Sequence, residues 1–264
     1  LVILGIRRSG KSIFSLLLAR GLKQKIAYIN FVDERLISMK TDDLDRVLQA
    51  FYELYGDVEF IILDEIQQVL GWEMFANRLR RTKKVIVTGS DSKLLSGELS
   101  THLTGRHIDF TLYPFSFREL VGPKVNAYST REIAKIKNEL KKYIEGSGFP
   151  EFKKFGRQMV REIYGDIVTK DCIQRHRIRE EKSFMELASY LVSNFSSEFT
   201  YSKLAKIVGL KDTNTAKNYV HYLSQAYLLA VVERYSPKLK QQIIAPKKTY
   251  CIDHGFCNFI SFNI

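Results

Sequence analysis

The first half of the chain alternates short apolar runs with amphipathic segments. Apolar runs of strand length occupy residues 1–4, 26–31, 58–65, 84–90 and 107–115. Between several of these runs lie segments whose apolar side chains recur at helical spacing, at residues 11–21, 42–55 and 72–80. Short apolar strands that alternate with amphipathic helices predict a mostly parallel sheet with helices on both faces.

The second half has a different pattern. A polar stretch with Gly, Pro and Asn at residues 122–129 predicts a linker, and STRE at 129–132 has the spacing of a helix capping box. Beyond it the chain is predicted to be mainly helical, with helices at 156–179 and 182–195. Residues 199–252 predict two helices separated by a short turn and followed by a pair of strands, which is the element order of a winged helix.

The net charge of +12 is unevenly distributed along the chain. Residues 123–264 carry 24 Lys and Arg against 14 Asp and Glu, whereas residues 1–122 are nearly balanced. A basic excess in one half suits binding to a polyanion, although lysine-rich helices also serve solubility alone. The three cysteines form no Cys-x-x-Cys pair, and no apolar run is long enough to cross a bilayer. We therefore expect a cytoplasmic protein that does not act in the membrane.

A phosphate-binding loop follows the first apolar run. Residues 5–12, GIRRSGKS, match G-x-x-x-x-G-K-S/T in full, between a predicted strand and a predicted helix. The glycines let the backbone wrap a phosphate, while loop N–H groups and the helix N-terminus direct positive charge at it. Lys11 is expected to reach the β- and γ-phosphates, and Ser12 to ligate Mg²⁺. The residues expected to contact the nucleotide are Gly5, Arg8, Ser9, Gly10, Lys11, Ser12 and Ile13. Arg7 and Arg8 have three open roles: phosphate contact, partner contact or exposure to solvent.

Two acids end the third apolar run. A buried strand that closes on Asp64 and Glu65 is costly unless these acids have a role. We expect Asp64 to hold Mg²⁺ through water, and Glu65 to polarise the attacking water as a general base. Thr88 and Ser90 follow the next strand, where a hydroxyl can contact the γ-phosphate or orient that water. The pattern does not separate these two candidates.

Several stretches occur together in an order typical of one family: GIRRSGKS, YINFVDERL, ILDEIQQVLGWEMFANRL, TGSDSKLLSGELSTHLTGR and LYPFSFREL. They resemble the archaeal and bacterial AAA+-type ATPases of the ORC/STAND-like branch. The resemblance continues through YIEGSGFPEF and PKKTYCIDHGF and covers essentially the whole chain. It implies binding of ATP or ADP and Mg²⁺ by Gly10, Lys11 and Ser12, with Asp64 and Glu65 as the acidic pair.

The same resemblance implies an α/β fold, in which an AAA+-like P-loop NTPase sheet is followed by a mainly helical region and a winged-helix domain. We expect four parts: an ATPase domain at 1–122 with a segment missing upstream, a helical linker or lid at 123–196, a winged helix at 197–252, and the start of a further region at 253–264. Many family members continue into a restriction-endonuclease-like domain, but no acid-rich nuclease motif follows residue 252 here. For Arg106, spacing alone favours a surface salt bridge, whereas the resemblance implies an arginine finger that acts on a neighbouring subunit of a homo-oligomer.

Three functions remain open at this point. The leading one is a Mg²⁺-dependent ATPase whose nucleotide state controls a basic winged helix acting on duplex DNA. Its phosphate and base contacts are expected from Lys203, Lys206, Lys211, Asn214, Lys217 and Asn218. The alternative is a slow, nucleotide-gated signalling switch that recruits protein partners, because winged helices also serve as protein contacts. A P-loop kinase is the third reading, but the sequence offers no identifiable lid or acceptor pocket.

Overall fold

The structure is a computed structural model and describes residues 1–21, 24–90, 107–122 and 129–260. The chain divides into two compact units. Residues 1–5 and 10–112 form the first unit, and residues 6–9 and 113–264 form the second. The boundary thus interrupts the phosphate-binding loop, whose central residues group with the second unit.

A five-stranded parallel sheet forms the centre of the first unit. Its strands in chain order are β1 (Val2–Leu4), β2 (Ile26–Asn30), β3 (Phe60–Asp64), β4 (Lys84–Gly89) and β5 (Asp109–Thr111). They lie in the order β2-β3-β4-β1-β5, and every pair is parallel. This confirms the predicted sheet. Because β4 lies between β1 and β3, the carboxyl ends of these three strands meet at one edge, where the loop and both acids begin.

Three α-helices accompany this sheet: α1 (Lys11–Gly21), α2 (Leu44–Tyr55) and α3 (Trp72–Leu79). The helix α2 buries Leu44, Val47 and Phe51 along one face, as its spacing predicts. The helix α3 likewise buries Trp72, Phe75, Ala76 and Leu79. Burial of these stripes, rather than helix propensity alone, stabilises such short helices.

The second unit is mainly helical, as expected. Its helices are α4 (Phe117–Val121), α5 (Thr130–Glu145), α6 (Phe152–Asp166), α7 (Glu181–Ser193), α8 (Tyr201–Ile207), α9 (Thr213–Gln225), α10 (Leu239–Ile244) and α11 (His254–Ile260). The capping box at Ser129 is present, since Ser129 Oγ accepts from the Glu132 N–H at 3.2 Å. None of the helices in the described ranges combines the length and the apolar character needed to span a bilayer.

The single helix predicted at 156–179 is wrong in detail. The chain is already helical from Phe152, kinks at Gly156 with φ 62°, and continues beyond α6 as a π-helix, Ile167–Gln174. Only glycine adopts this φ without strain, which accounts for the kink. An apolar period of 3.6 residues does not distinguish an α-helix from a π-helix over eight residues, so the wider turns were not predictable from spacing.

The two helices and the strand pair expected at 199–252 are confirmed as α8, α9, β7 (Leu229–Val232) and β8 (Lys247–Cys251). The strands β7 and β8 are antiparallel, and the short strand β6 (Glu198–Phe199) pairs with the other edge of β8. The helix α10, between β7 and β8 in the chain, was not predicted. The interpretation of this region as a winged helix remains a prediction.

Candidate nucleotide site

The phosphate-binding loop leaves a buried strand and enters a helix. Gly5, with φ 139°, follows the fully buried β1, and Gly10, with φ 96°, precedes α1. A Cβ at position 5 would lie 2.1 Å from the Leu112 carbonyl oxygen, so the close approach of backbone there requires glycine. The first N–H groups of α1 have no partner within the helix and are oriented to accept an anion.

Two side chains in this loop suit a bound phosphate. Ser9 is only 4% exposed, and its Oγ has no hydrogen-bond partner within the part of the chain that the structure describes. A buried hydroxyl without a partner is costly unless a ligand pairs with it. Lys11 is 5% exposed and supplies the positive charge. Together with the glycine backbone, these groups fit a phosphate better than they fit a simple surface turn.

Asp64 is fully buried at the carboxyl end of β3 and both of its oxygens are engaged. Its Oδ2 accepts from the Tyr28 hydroxyl at 2.8 Å, and its Oδ1 accepts from Thr88 Oγ1. Burial raises the pKa of Tyr28 well above its usual range, and the hydrogen bond to Asp64 adds to this effect. The Tyr28 hydroxyl therefore remains a proton donor to Asp64 at any physiological pH. These two hydroxyl groups fix the orientation of the carboxylate.

Sequence reasoning missed Tyr28, although a signal existed. Tyr28 pairs with Ile62 in the β2–β3 register. Ile62 and Asp64 are two positions apart on β3 and face the same side of the sheet, so Tyr28 shares their face. That inference requires knowing that β2 neighbours β3, which the sequence pattern alone does not establish.

Glu65 adopts a left-handed backbone conformation, with φ 55° and ψ 38°. Its N–H lies 3.1 Å from both the carbonyl oxygen and the Oγ1 of Thr88. Its carboxylate accepts from Gln67 Nε2 and lies 3.7 Å from Lys11 Nζ. A non-glycine residue in this region of backbone space is uncommon and is frequently found at functional sites. The contact of Gln67 with Glu65 was not predicted, because it depends on the short 3₁₀ turn that follows Glu65.

The structure separates Thr88 from Ser90. The Thr88 hydroxyl is committed to the acidic pair, since it donates to Asp64 and accepts from the Glu65 N–H. Ser90 instead donates to the Glu65 carboxylate, at 3.3 Å. Thr88 therefore positions both acids, whereas Ser90 contacts only the carboxylate of Glu65.

The remaining loop candidates differ in placement. Arg8 has φ 60° and lies 4.0 Å from Glu162, with its side chain 40% exposed. Arg7 forms an ion pair with Asp171, a contact that was not among the roles left open from the sequence. The side chain of Ile13 is 63% exposed, so only its backbone is placed to serve the loop. Arg106 lies outside the described residues.

The residues expected to contact nucleic acid are all exposed: Lys203, Lys206, Lys211, Asn214, Lys217 and Asn218. On α9, Asn214, Lys217 and Asn218 recur at helical spacing opposite the buried face of that helix. The exposed His221 extends the same row by a further turn and was not singled out from the sequence. This face is polar and basic, and it is free of large apolar side chains.

The buried hydrogen bond from Tyr28 to Asp64 carries a stability prediction. Tyr28→Phe keeps the ring and removes one donor from a fully buried carboxylate, so we expect a loss of about 1–3 kcal/mol in the free energy of unfolding. Urea denaturation measures this loss. Tyr55→Phe, at the exposed end of α2, is the matched control and is expected to have no effect. Equal stability of both variants would contradict a structural role for this hydrogen bond.

A parallel sheet with a glycine-lysine-serine loop after one strand and two acids after another defines a nucleotide-binding domain of the P-loop class. The comparison with protein families agrees: residues 1–121 match the AAA domain family. This part of the chain is therefore similar to AAA-type P-loop domains. Residues 137–263 match a domain of unknown function, DUF8612.

Individual proteins are similar along nearly the whole chain. The chain is 34% identical to the uncharacterized protein MJ1544 of Methanocaldococcus jannaschii, over 99% of this chain and 62% of that protein. It is 27% identical to an uncharacterized protein of Haemophilus influenzae, over 96% of this chain and 67% of that protein. Among solved structures, the Walker-type ATPase PABY2304 of Pyrococcus abyssi has a TM-score of 0.51 at 15% identity, over 98% of this chain and 90% of that chain, which shows a shared fold. The chain thus spans 62% and 67% of the lengths of the Methanocaldococcus jannaschii and Haemophilus influenzae proteins, respectively.

Proposed function

We propose that this chain binds ATP with Mg²⁺ and hydrolyses it to ADP and phosphate. We further propose that its nucleotide state controls a basic winged-helix region that acts on duplex DNA. The observation that carries the enzymatic part is the convergence of Lys11, Asp64, Glu65 and Thr88 at the carboxyl edge of one sheet. A lysine placed for a phosphate, next to a carboxylate with a fixed backbone, suits the hydrolysis of a bound nucleotide.

Each group has a role that follows from its chemistry. Lys11 binds the β- and γ-phosphates, and the Ser9 hydroxyl and the loop N–H groups donate to phosphate oxygens. Glu65 accepts a proton from the attacking water, while Thr88 holds the Glu65 backbone and Ser90 contacts its carboxylate. Ser12 directly, and Asp64 through water, would hold Mg²⁺, which would neutralise phosphate charge when bound. Arg106 of a neighbouring subunit would complete the site in a homo-oligomer.

The DNA part of the proposal rests on the exposed polar face of α8 and α9. A row of Asn, Lys and Asn on α9 offers both phosphate contacts and base-edge hydrogen bonds, and the lysines of α8 and the turn add charge. The second half of the chain carries most of the net positive charge, which favours a polyanionic partner.

The test is ATP hydrolysis by the chain with and without duplex DNA, at low and moderate salt. We expect DNA to stimulate hydrolysis, and the stimulation to fade as salt rises. Slow hydrolysis that is indifferent to DNA, with ADP retained through purification, would contradict the DNA part and favour the signalling switch. Absence of both nucleotide binding and hydrolysis would contradict the proposal as a whole.

DNA affinity gives a separate prediction. We expect the combined substitution of Lys203, Lys206 and Lys217 by Gln to remove about three phosphate contacts. The slope of the logarithm of the DNA-binding constant against the logarithm of salt concentration should then become shallower by roughly 1 per lysine. Fluorescence anisotropy of a labelled duplex across a salt series measures this slope. Lys182→Gln is the matched control, because Lys182 is exposed on α7, outside α8, α9 and their connecting turn. Identical slopes for the triple variant and the control would place the DNA elsewhere.

A further inference from the structure

The central residues of the phosphate-binding loop are built into the second unit. Ile6 is 1% exposed and belongs to the apolar core of that unit, together with residues of α6, α7 and α9. Gly5 and Gly10, which flank residues 6–9 on either side, group with the first unit. The strand before a phosphate-binding loop and the helix after it normally suffice to hold the loop in place. The burial of Ile6 in the core of the second unit therefore needs an explanation.

The next residue, Arg7, is held by a bidentate ion pair. Arg7 Nε donates to Asp171 Oδ2 at 2.9 Å, and Arg7 Nη2 donates to Asp171 Oδ1 at 2.7 Å. The Asp171 side chain is 3% exposed, and Arg175 Nη2 lies 3.6 Å from the same carboxylate. Paired, planar hydrogen bonds of this kind are strong and fix orientation as well as distance. A buried carboxylate that lost this partner would keep only the longer contact with Arg175 and would lose its bidentate hydrogen bonds.

Asp171 lies within the π-helix, Ile167–Gln174. Five of the eight residues of this segment are buried: Ile167, Val168, Asp171, Cys172 and Ile173. The apolar members of this set anchor the segment in the core that also contains Ile6. The segment therefore contacts the loop through a charged pair and shares an apolar core with it. Any change in the loop backbone between Gly5 and Gly10 must therefore be accommodated by the Arg7–Asp171 pair, by the apolar core around Ile6, or by both.

From this geometry we infer that Asp171 is a positioning residue for the nucleotide site, and that the Arg7–Asp171 pair couples occupation of the phosphate-binding loop to the π-helix of the second unit. Asp171 acts through Arg7 and does not itself contact the nucleotide. The inference rests on the proposed nucleotide binding. Because coupling between two sites is reciprocal, loss of the pair weakens nucleotide binding, and binding of nucleotide stabilises the π-helix.

The test combines ATP affinity with hydrogen exchange in residues 167–174. In the wild type we expect ATP to slow exchange in this segment. Asp171→Asn keeps the side-chain shape and is expected to weaken ATP binding about tenfold and to abolish the effect of ATP on exchange. Glu186→Gln is the matched control, because Glu186 is exposed on α7 and lies 4.0 Å from the exposed Lys182, and it is expected to behave as wild type.

A second variant protects the test against simple unfolding. Arg7→Lys retains a positive charge for Asp171 and loses the bidentate geometry. In the absence of nucleotide we expect it to speed exchange in residues 167–174, although it lies far from them in sequence. If Arg7→Lys leaves this exchange unchanged, or if Asp171→Asn retains both ATP affinity and the ATP effect, the coupling is overturned. If the wild type binds no nucleotide while Arg7→Lys still speeds exchange, the proposed function fails and the structural link between the loop and the π-helix stands.

Discussion

Glu65→Gln is expected to lower ATP hydrolysis by about 10²–10⁴-fold while leaving ATP binding intact, because general-base catalysis contributes a factor of this size. The substitution keeps the length and shape of the side chain and its hydrogen bonds to Gln67 and Ser90. It removes the negative charge that accepts a proton from water. It also removes the carboxylate charge that lies 3.7 Å from Lys11 Nζ, so Glu65 no longer competes with the phosphates for the Lys11 ammonium group. Binding is therefore expected to be equal to that of the wild type or tighter.

Phosphate release and ATP affinity, measured on the same preparation, test this prediction. Glu59→Gln is the matched control, because Glu59 directly precedes β3, at the opposite end of that strand, and pairs with the exposed Lys84 at 2.6 Å. We expect the control to hydrolyse ATP at the wild-type rate. Unchanged hydrolysis in Glu65→Gln would exclude Glu65 as the general base and would mean that another group accepts the proton.

Lys11→Ala is expected to weaken ATP binding by about 10- to 100-fold, because a hydrogen bond to a charged group contributes about 1.5–3 kcal/mol. Lys11 is 5% exposed at the start of α1, where its ammonium group and the helix N-terminus both favour an anion. Removal of the side chain leaves the backbone cradle in place. Residual weak binding is therefore expected, rather than none.

Thermal unfolding with and without ATP measures this effect without relying on turnover. ATP that binds only the folded state stabilises the wild type by about 2.7 kcal/mol at 100 times its Kd, and the same ATP concentration stabilises Lys11→Ala far less. Lys25→Ala is the matched control, since Lys25 is exposed and directly precedes β2. An ATP-induced rise in Tm for Lys11→Ala as large as that of the wild type would show that Lys11 does not bind the phosphates.

The parts of the site that could be predicted are local in sequence. The loop at 5–12 has a motif with fixed spacing between a strand and a helix, and Asp64 and Glu65 end a strand whose apolar character marks it as buried. Both features depend on neighbouring residues only. The same holds for the amphipathic helix α2 and for the capping box at Ser129, where one short pattern specifies the element.

The parts that could not be predicted depend on pairings between distant residues. Tyr28 reaches Asp64 only because β2 lies beside β3, and strand order is not encoded in the apolar pattern. The roles of Thr88 and Ser90 separate only when the left-handed backbone of Glu65 is known. Arg7 has a partner 164 positions away, and no local feature of the sequence near Asp171 marks it as that partner.

Burial of Ile6 has a consequence for the order in which the protein matures. The other members of its core lie between Phe149 and Phe256, so the ribosome makes Ile6 long before the side chains that enclose it. Contacts between residues so far apart in sequence form slowly, because a long loop must close first. The sheet strands β1 to β5 are complete once Thr111 has emerged, but the loop after β1 still lacks its packing. A growing chain therefore acquires its sheet first and the packing of its phosphate-binding loop later, which delays nucleotide capture until the residues from Phe149 to Phe256 have been made.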